Sequence, residues 1–300
     1  MWRPDDGWEP MPGGRGTSTG GVWLDPSGAT PTVVKRLLAP RPGDPAELGD
    51  PTHAAWWKRS AAVALRHLVD DTAGLRGVPV LDVAEDAEGV TLRCAYVAPE
   101  RLPGLFLSSR IGAFAGNPVP DVPWLARQQL RARLDRVAWR GGWRTLGRTS
   151  IADAADRLWA RRGTLLDHLD ALPQVLQHGD PVPANLTART GDDVLALDWA
   201  SLGTGPVGGD LGYFALTVPE SLEVLLDAYV AALPAGLATR DEALLGARVT
   251  IVYTALNRAE WALARAADGE GALAGKFRHP SVAPHLRALQ RQFPHLEALL

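Results

Sequence analysis

The residues best suited to chemistry lie between His178 and Asp198. The chain reads His178-Gly179-Asp180-Pro181-Val182-Pro183-Ala184-Asn185, which is His-x-Asp with an Asn five residues after the Asp. Leu186 to Arg189 can then form a strand, Thr190-Gly191-Asp192-Asp193 a turn, and Val194 to Leu197 a second strand ending at Asp198. Folding this hairpin about Gly191-Asp192 sets Asn185 and Asp198 nearly opposite one another at its open mouth, with Asp180 just before it. Two carboxylates and an amide oxygen are hard ligands of the kind Mg²⁺ takes. Asp180 could orient a hydroxyl group and accept its proton, while Asn185 and Asp198 hold metal against phosphate oxygens. A polar turn with capping residues uses the same residue types, but it gives no reason for Asp198 to fall in register.

A phosphate site also needs a cation and open backbone. Lysine occurs only at positions 35, 58 and 276. Lys35 stands in the β-branched run Thr32-Val33-Val34-Lys35-Arg36-Leu37-Leu38, which reads as a strand. Ahead of it, Gly13 to Gly21 is made of small and hydroxyl residues, among them Gly16, Thr17, Ser18 and Thr19. Such a loop lets amide N–H groups approach anionic oxygens. It lacks Gly-Lys-Ser/Thr, so it is not a Walker loop.

The elements that must position these groups follow from periodicity and turn chemistry. Gly20 to Leu24 reads as a strand, and Pro26-Ser27-Gly28 turns it back into the Lys35 strand. Asp50-Pro51 suggests a helix start, with Trp57, Ala61, Leu65 and Leu68 along one face. Val78 to Leu81 and Val90 to Val97 read as strands around an acidic turn at Glu85 to Gly89. Helices are expected from Trp124 to Trp139, and from a cap at Ser150 to about Leu169. They continue from Glu220 onward, where Thr239-Arg240-Asp241-Glu242 is a capping box. The sum is an α+β chain with a small β-rich N-terminal lobe, residues 1–97, and a larger, mainly helical lobe, residues 98–300.

The stretch Leu172 to Asp180, through Asn185, to Asp198-Trp199 and on to Gly205-Pro206-Val207-Gly208-Gly209-Asp210-Leu211 resembles the aminoglycoside phosphotransferase family. A fainter match covers Gly13 to Lys35 and the helix from Trp56. The resemblance implies a bilobal protein-kinase-like fold, an ATP site between the lobes and an acceptor pocket mainly in the larger lobe. It implies transfer of phosphate from ATP, with Mg²⁺, to a hydroxyl of a small molecule such as an aminoglycoside, sugar or amino alcohol. By analogy, Asp180 is the catalytic base, Asn185 and Asp198 hold metal, and Lys35 reaches the phosphates. His178 and Asp210 brace the loop, and Ala95 to Ala98 offers backbone to adenine through Tyr96 and Val97. One departure stands out. Trp56-Trp57-Lys58-Arg59-Ser60 puts Ser60 where such folds carry the Glu that pairs with the strand lysine. Glu47 or Asp70 could substitute; a nucleotide-binding module with little catalysis is the alternative.

Bulk properties remove other classes. A net charge of −3 gives no pull toward nucleic acid or anionic membrane. The single cysteine, Cys94, excludes an intrachain disulfide and a Cys-rich zinc site. The histidines other than His178 are scattered singly, against a metal hydrolase. No apolar run approaches the ~20 residues of a membrane helix, and Met-Trp-Arg-Pro-Asp-Asp is unlike a secretory leader, so a cytoplasmic protein is expected. Nothing after Asp198 resembles a protein-kinase activation segment ending in Ala-Pro-Glu. Glu220, Glu223, Asp227, Glu260, Asp268 and Glu270 could face a cationic acceptor, and Trp124, Trp139, Trp143, Trp159 and Trp261 could line a sugar pocket. A solvated helix surface and core packing are the plainer roles for these two sets.

Overall fold

The computed structural model describes residues 2–12, 18–267 and 279–300. Gly16 and Thr17, with the rest of 13–17, lie outside the described residues, as do Asp268 and Glu270.

The N-terminal part is an antiparallel five-stranded sheet in the order β1-β2-β3-β6-β5. Its strands are β1 (Glu9–Pro10), β2 (Thr19–Asp25), β3 (Thr32–Leu38), β5 (Val80–Asp86) and β6 (Gly89–Ala95). Period-two alternation sorts their side chains. Cross-strand pairing puts Leu37, Lys35 and Val33 on one face with Val90, Leu92 and Cys94. Helix α1 (Arg59–Leu65) covers one end of that face, where Ala61 packs with Leu37, Val90 and Leu92. Lys35 therefore shares a face with a small apolar core and projects beyond it.

The opposite face was not legible in the sequence. Residues 2–12 fold back over it, and Trp2, Trp8 and Trp23 cluster with ring centroids 5.3–6.4 Å apart. Beneath them Arg36, fully buried, stacks under Trp2 and donates two hydrogen bonds to Asp86.

The expected helix start at Asp50-Pro51 is corrected. Asp50 instead accepts from the Thr52 amide and hydroxyl, a local turn that competes with helix initiation, and α1 begins only at Arg59. The helix also ends early. His67 takes a left-handed φ of 53°, and Leu65, expected on the buried face, is 56% exposed. A short strand β4 (Leu75–Gly77) follows and leaves the first sheet. It pairs in parallel with β9 (Asp193–Ala196), which pairs in turn with β8 (Leu186–Thr190), giving the order β4-β9-β8. The acidic turn is shorter than expected, because β5 runs through Asp86.

The remainder is mainly helical: α2 (Gly104–Ala115), α3 (Gln129–Trp139), α4 (Ala152–Ala171), α5 (Gly209–Ala215), α6 (Leu222–Ala232), α7 (Arg240–Ala267), α8 (Ala283–Arg291) and α9 (Phe293–Glu297). Helix α2 has no counterpart in the sequence reading. It is apolar nearly all round, so periodicity is silent. It is buried against α6, where Gly112 lets the chain approach so closely that a Cβ would stand 2.3 Å from the Tyr229 carbonyl. Helix α3 starts five residues later than expected, after Gln128 in a left-handed conformation. The Ser150 cap gives no side-chain bond to α4. The capping box before α7 forms as read, with Thr239 and Glu242 each bonding the other's amide.

Candidate active site

Strand β7 (Gln174–Gln177) delivers the chain into His178-Gly179-Asp180, and β10 (Gly203–Pro206) pairs antiparallel beside it. Between them a 3₁₀ turn at Pro183–Asn185 leads into the hairpin of β8 (Leu186–Thr190) and β9. The hairpin is paired as the spacing predicts from Thr190 opposite Asp193 to Ala188 opposite Leu195, and a bulge at Thr187 then shifts the register by one. Leu186 faces Ala196, and the Leu197 amide donates to the Asn185 carbonyl at 2.8 Å. Asn185 and Asp198 thus meet at its mouth. Asn185 Nδ2 donates to Asp180 Oδ2 at 3.1 Å and to the Asp180 carbonyl at 2.9 Å. From the opposite lobe, Lys35 Nζ reaches Asp198 Oδ1 at 2.7 Å.

Asp198 adopts φ 60°, ψ 63°. For a residue bearing a Cβ this left-handed conformation is strained, and such strain persists only where neighbours impose it. Trp199 supplies the anchor. Its Nε1 donates to the Ala196 carbonyl, and its ring packs against His178 at 4.6 Å and Phe114 at 5.6 Å. The crowded cleft works to raise the Asp198 pKa, but the Lys35 charge and hydrogen bond hold that carboxyl below the ordinary carboxylate range.

His178 and Asp210 tie the loop from below. His178 is fully buried, and burial lowers its pKa, which favours the neutral ring. Its Nδ1 accepts from the Asp180 amide at 3.2 Å, which leaves Nε2 to donate to the Leu197 carbonyl at 2.8 Å. One ring thereby links the Asp180 loop to the β9 end that carries Asp198. Asp210, also buried, accepts from the His178 and Gly179 amides at 2.7 and 3.0 Å. Gly179 has φ 81°, and a Cβ there would lie 2.5 Å from the Ser201 carbonyl, so the turn requires glycine.

Arg59 is a brace that the sequence reading did not single out. It is 0% exposed and donates four hydrogen bonds of 2.6–3.0 Å, to the carbonyls of His53, Ala54, Trp124 and Ala200. Among the described residues, no carboxylate pairs with it. The signal available was an Arg three residues after Trp56 and four before Val63, at helical spacing from both.

Ser60 is buried, and its hydroxyl has no hydrogen-bond partner. Neither suggested substitute serves Lys35. Glu47 lies near Arg136 at 3.8 Å, and Asp70 bonds His67. Asp198 itself takes the lysine. Of the loop residues, Thr19 opens β2 opposite Leu37, and the Ser18 carbonyl accepts from the Leu38 amide. At the interlobe segment, the Tyr96 amide is already committed to the Pro31 carbonyl at 3.2 Å. Among the described residues, the Val97 amide has no backbone partner. Among the described residues, the carboxylates that could face a cationic acceptor are not gathered, in line with their plainer role. Glu260 caps the turn at Thr145 and Leu146, Asp227 pairs with Arg240, and Glu223 approaches His295. Glu220 sits against Gly104, at the start of α2. The tryptophans do not line one pocket either. Trp143 and Trp159 pack on one another, Trp124 is buried against Trp56, and Trp139 is 75% exposed.

A β-rich lobe carrying a strand lysine, joined to a helical lobe carrying an Asp loop and an Asn–Asp hairpin, defines a protein-kinase-like phosphotransferase fold. The chain belongs to the phosphotransferase enzyme family, whose model matches residues 60–243. No curated protein matches it. Solved structures share the fold at low identity. A choline/ethanolamine kinase family protein from Mesorhizobium loti is 17% identical, covering 95% of this chain and 92% of its own, with TM-score 0.55. The choline kinase LicA from Streptococcus pneumoniae is 10% identical, covering 97% and 93%, with TM-score 0.60. The GDP complex of aminoglycoside 2'-phosphotransferase-IIIa is 11% identical, covering 98% and 93%, with TM-score 0.58. Among the described residues, no helix is long and apolar enough to cross a membrane.

Proposed function

We propose that this protein transfers the γ-phosphoryl group of ATP to a hydroxyl of a small molecule. The observation that carries the reading is the meeting of Asp180 with Asn185, and of Asp198 with Lys35, at one hairpin mouth. Asp180 accepts the hydroxyl proton as the acceptor oxygen bonds to phosphorus and the bond to the ADP oxygen breaks. Lys35 exchanges its Asp198 contact for phosphate oxygens. Ser18 and Thr19, at the entry to β2, would meet the phosphates, and Gly16 and Thr17 precede them in the sequence. The Val97 amide is the adenine donor, since Tyr96 has spent its own. We place the lobe boundary between residues 97 and 98, within the segment linking β6 to α2.

Asn185 and Asp198 fit Mg²⁺ in donor chemistry. Among the described residues, no three His, Cys, Asp or Glu side chains group as a metal site. An amide and a carboxylate are therefore a partial set that nucleotide phosphates and water would complete. When bound, the ion would neutralise phosphate charge. Support for a nucleotide also comes from proteins of like fold described in complex with GDP or AMP.

The test is isothermal titration of ATP with and without Mg²⁺, alongside turnover across hydroxyl-bearing acceptors, for the native chain and Asp180→Asn. Magnesium-dependent turnover that the substitution abolishes, with nucleotide affinity kept, is expected. Tight nucleotide binding with no turnover on any acceptor would instead identify a binding module.

A further inference from the structure

Beside the Asp180 loop, one arginine lines a cavity and a second stacks on a residue of its wall. A cavity reaches the Asp180 loop at Gly179 and is walled by Gln129, Arg133, Asp210, Tyr213 and Thr250. Arg133 stacks on the Tyr213 ring at 5.1 Å, and Arg258 from α7 stacks on the same ring at 4.5 Å. Both guanidiniums are half-buried. Their partners are few. Arg133 makes one long hydrogen bond, 3.3 Å, to the Gly179 carbonyl, and Arg258 makes none among the described residues. No carboxylate forms an ion pair with either of them among the described residues. Arg136, one turn along α3, faces the adjoining hollow with Gln129 and Arg133, and only Glu47 approaches it, at 3.8 Å.

The nearby carboxylates are otherwise engaged. Asp170 is paired with Arg131, and Asp210 is buried beneath two amide bonds with its pKa pushed up to about 7 by burial. Two like charges on one ring repel. Stacking on an aromatic face returns only ~0.5–2 kcal/mol for each. Arginines left without an ion-pair partner, beside the Asp180 loop, are suited to a planar or tetrahedral oxyanion.

We propose that the acceptor bears an anionic oxygen group, carboxylate or phosphate, held by Arg133 and Arg258 against Tyr213, with its hydroxyl at Asp180. The proposal rests on the phosphotransferase reading above for the hydroxyl end only. Because Arg133 touches the residue next to Asp180, the two ends of such an acceptor are separated by a short skeleton. The transfer is the one already balanced: phosphorus moves from ADP oxygen to acceptor oxygen, and the proton goes to Asp180. A quaternary amine or a polycationic amino sugar would meet like charge here.

The probes are D-glycerate, glycerol 3-phosphate, glycerol and choline. Each is titrated calorimetrically into the full chain and offered as acceptor with ATP-Mg²⁺. The variants are Arg258→Ala and Arg258→Lys, with circular dichroism melting to confirm folding. One or both anions should bind at least tenfold more tightly than glycerol, and Arg258→Ala should weaken that binding at least tenfold while ATP affinity is unchanged. Arg258→Lys should recover part of the loss. Whether glycerate or the phosphate ester is preferred distinguishes the two oxyanions. Anions that bind no better than glycerol overturn the proposal, as does anion binding indifferent to Arg258→Ala, or choline turnover with an unchanged KM in that variant. Arginine-dependent anion binding without turnover of any probe would keep the anion site and count against the phosphotransferase reading.

Discussion

Lys35 Nζ and Asp198 Oδ1 stand 2.7 Å apart across the interlobe cleft, joining β3 to the end of the β8–β9 hairpin. The pair is accessible, with side-chain exposures of 17% and 41%, so water screens it and its worth to the fold is only ~0–1 kcal/mol. In the proposed reaction its worth is larger, because Lys35 would stabilise charge on the phosphates once it exchanges Asp198 for them. Lys35→Ala should therefore lower kcat/KM by about a hundredfold or more. Urea unfolding should shift by less than about 1 kcal/mol. A large loss of stability with activity retained would assign Lys35 to the fold instead.

Arg59 presents the reverse case. It touches no proposed reacting group, yet it gathers four carbonyls from three separate stretches of chain, including Ala200 two residues after Asp198. Burial lowers its pKa to about 10, which still leaves it charged at neutral pH. Arg59→Met removes the donors and leaves buried acceptors unmet, a cost of about 3 kcal/mol or more. Equilibrium unfolding should show that drop. A shift under about 1 kcal/mol would mean that water replaces the guanidinium.

The hairpin and its loop were legible because local rules fix them. Gly191-Asp192 sets the turn, the register follows as far as Ala188, and the one-residue bulge at Thr187, which was not legible, still leaves Asn185 and Asp198 at the mouth. Lys35 stood out in a lysine-poor chain. What stayed hidden depends on distant partners. Helix α2 is apolar over most of its circumference, because most of it is packed. The tryptophan strap at residues 2–12 is held by guanidiniums 34 and 85 residues away from Trp2 and Trp8. The Asp50 turn misled because Asp followed by Pro and Thr can cap a helix or close on itself, and Arg59's demand for the His53 and Ala54 carbonyls fits the second outcome.

Ser60 allows a prediction of small effect. Its hydroxyl is buried with no partner, so the folded state already bears the cost of desolvating it. Ser60→Ala removes that cost and gains slightly in helix propensity. Stability should stay within about 0.5 kcal/mol of the native chain or rise. Urea titration of both proteins decides this. A loss above about 1 kcal/mol would show that the hydroxyl has a water or ligand partner that matters.

Asp210 gives the fold a pH dependence of unusual sign for a carboxylate. Burial raises its pKa from 3.8 to about 7, against the pull of the His178 and Gly179 amides. A carboxyl raised in the folded state stabilises it fully below the unfolded value, and that contribution is lost as pH rises through the folded one. Between pH ~4 and ~7 the native chain should therefore lose stability relative to Asp210→Asn, by up to about 4 kcal/mol. His178, His285 and His295 are lowered by burial and act in the opposite direction as pH falls, but both proteins carry them, so they cancel in the difference. Urea midpoints of the two proteins at about pH 4.5 and pH 7.5 measure that difference. If the gap between them is the same at both values, Asp210 is ionised throughout. The two amide bonds then outweigh burial, and the loop rests on a carboxylate that holds its charge.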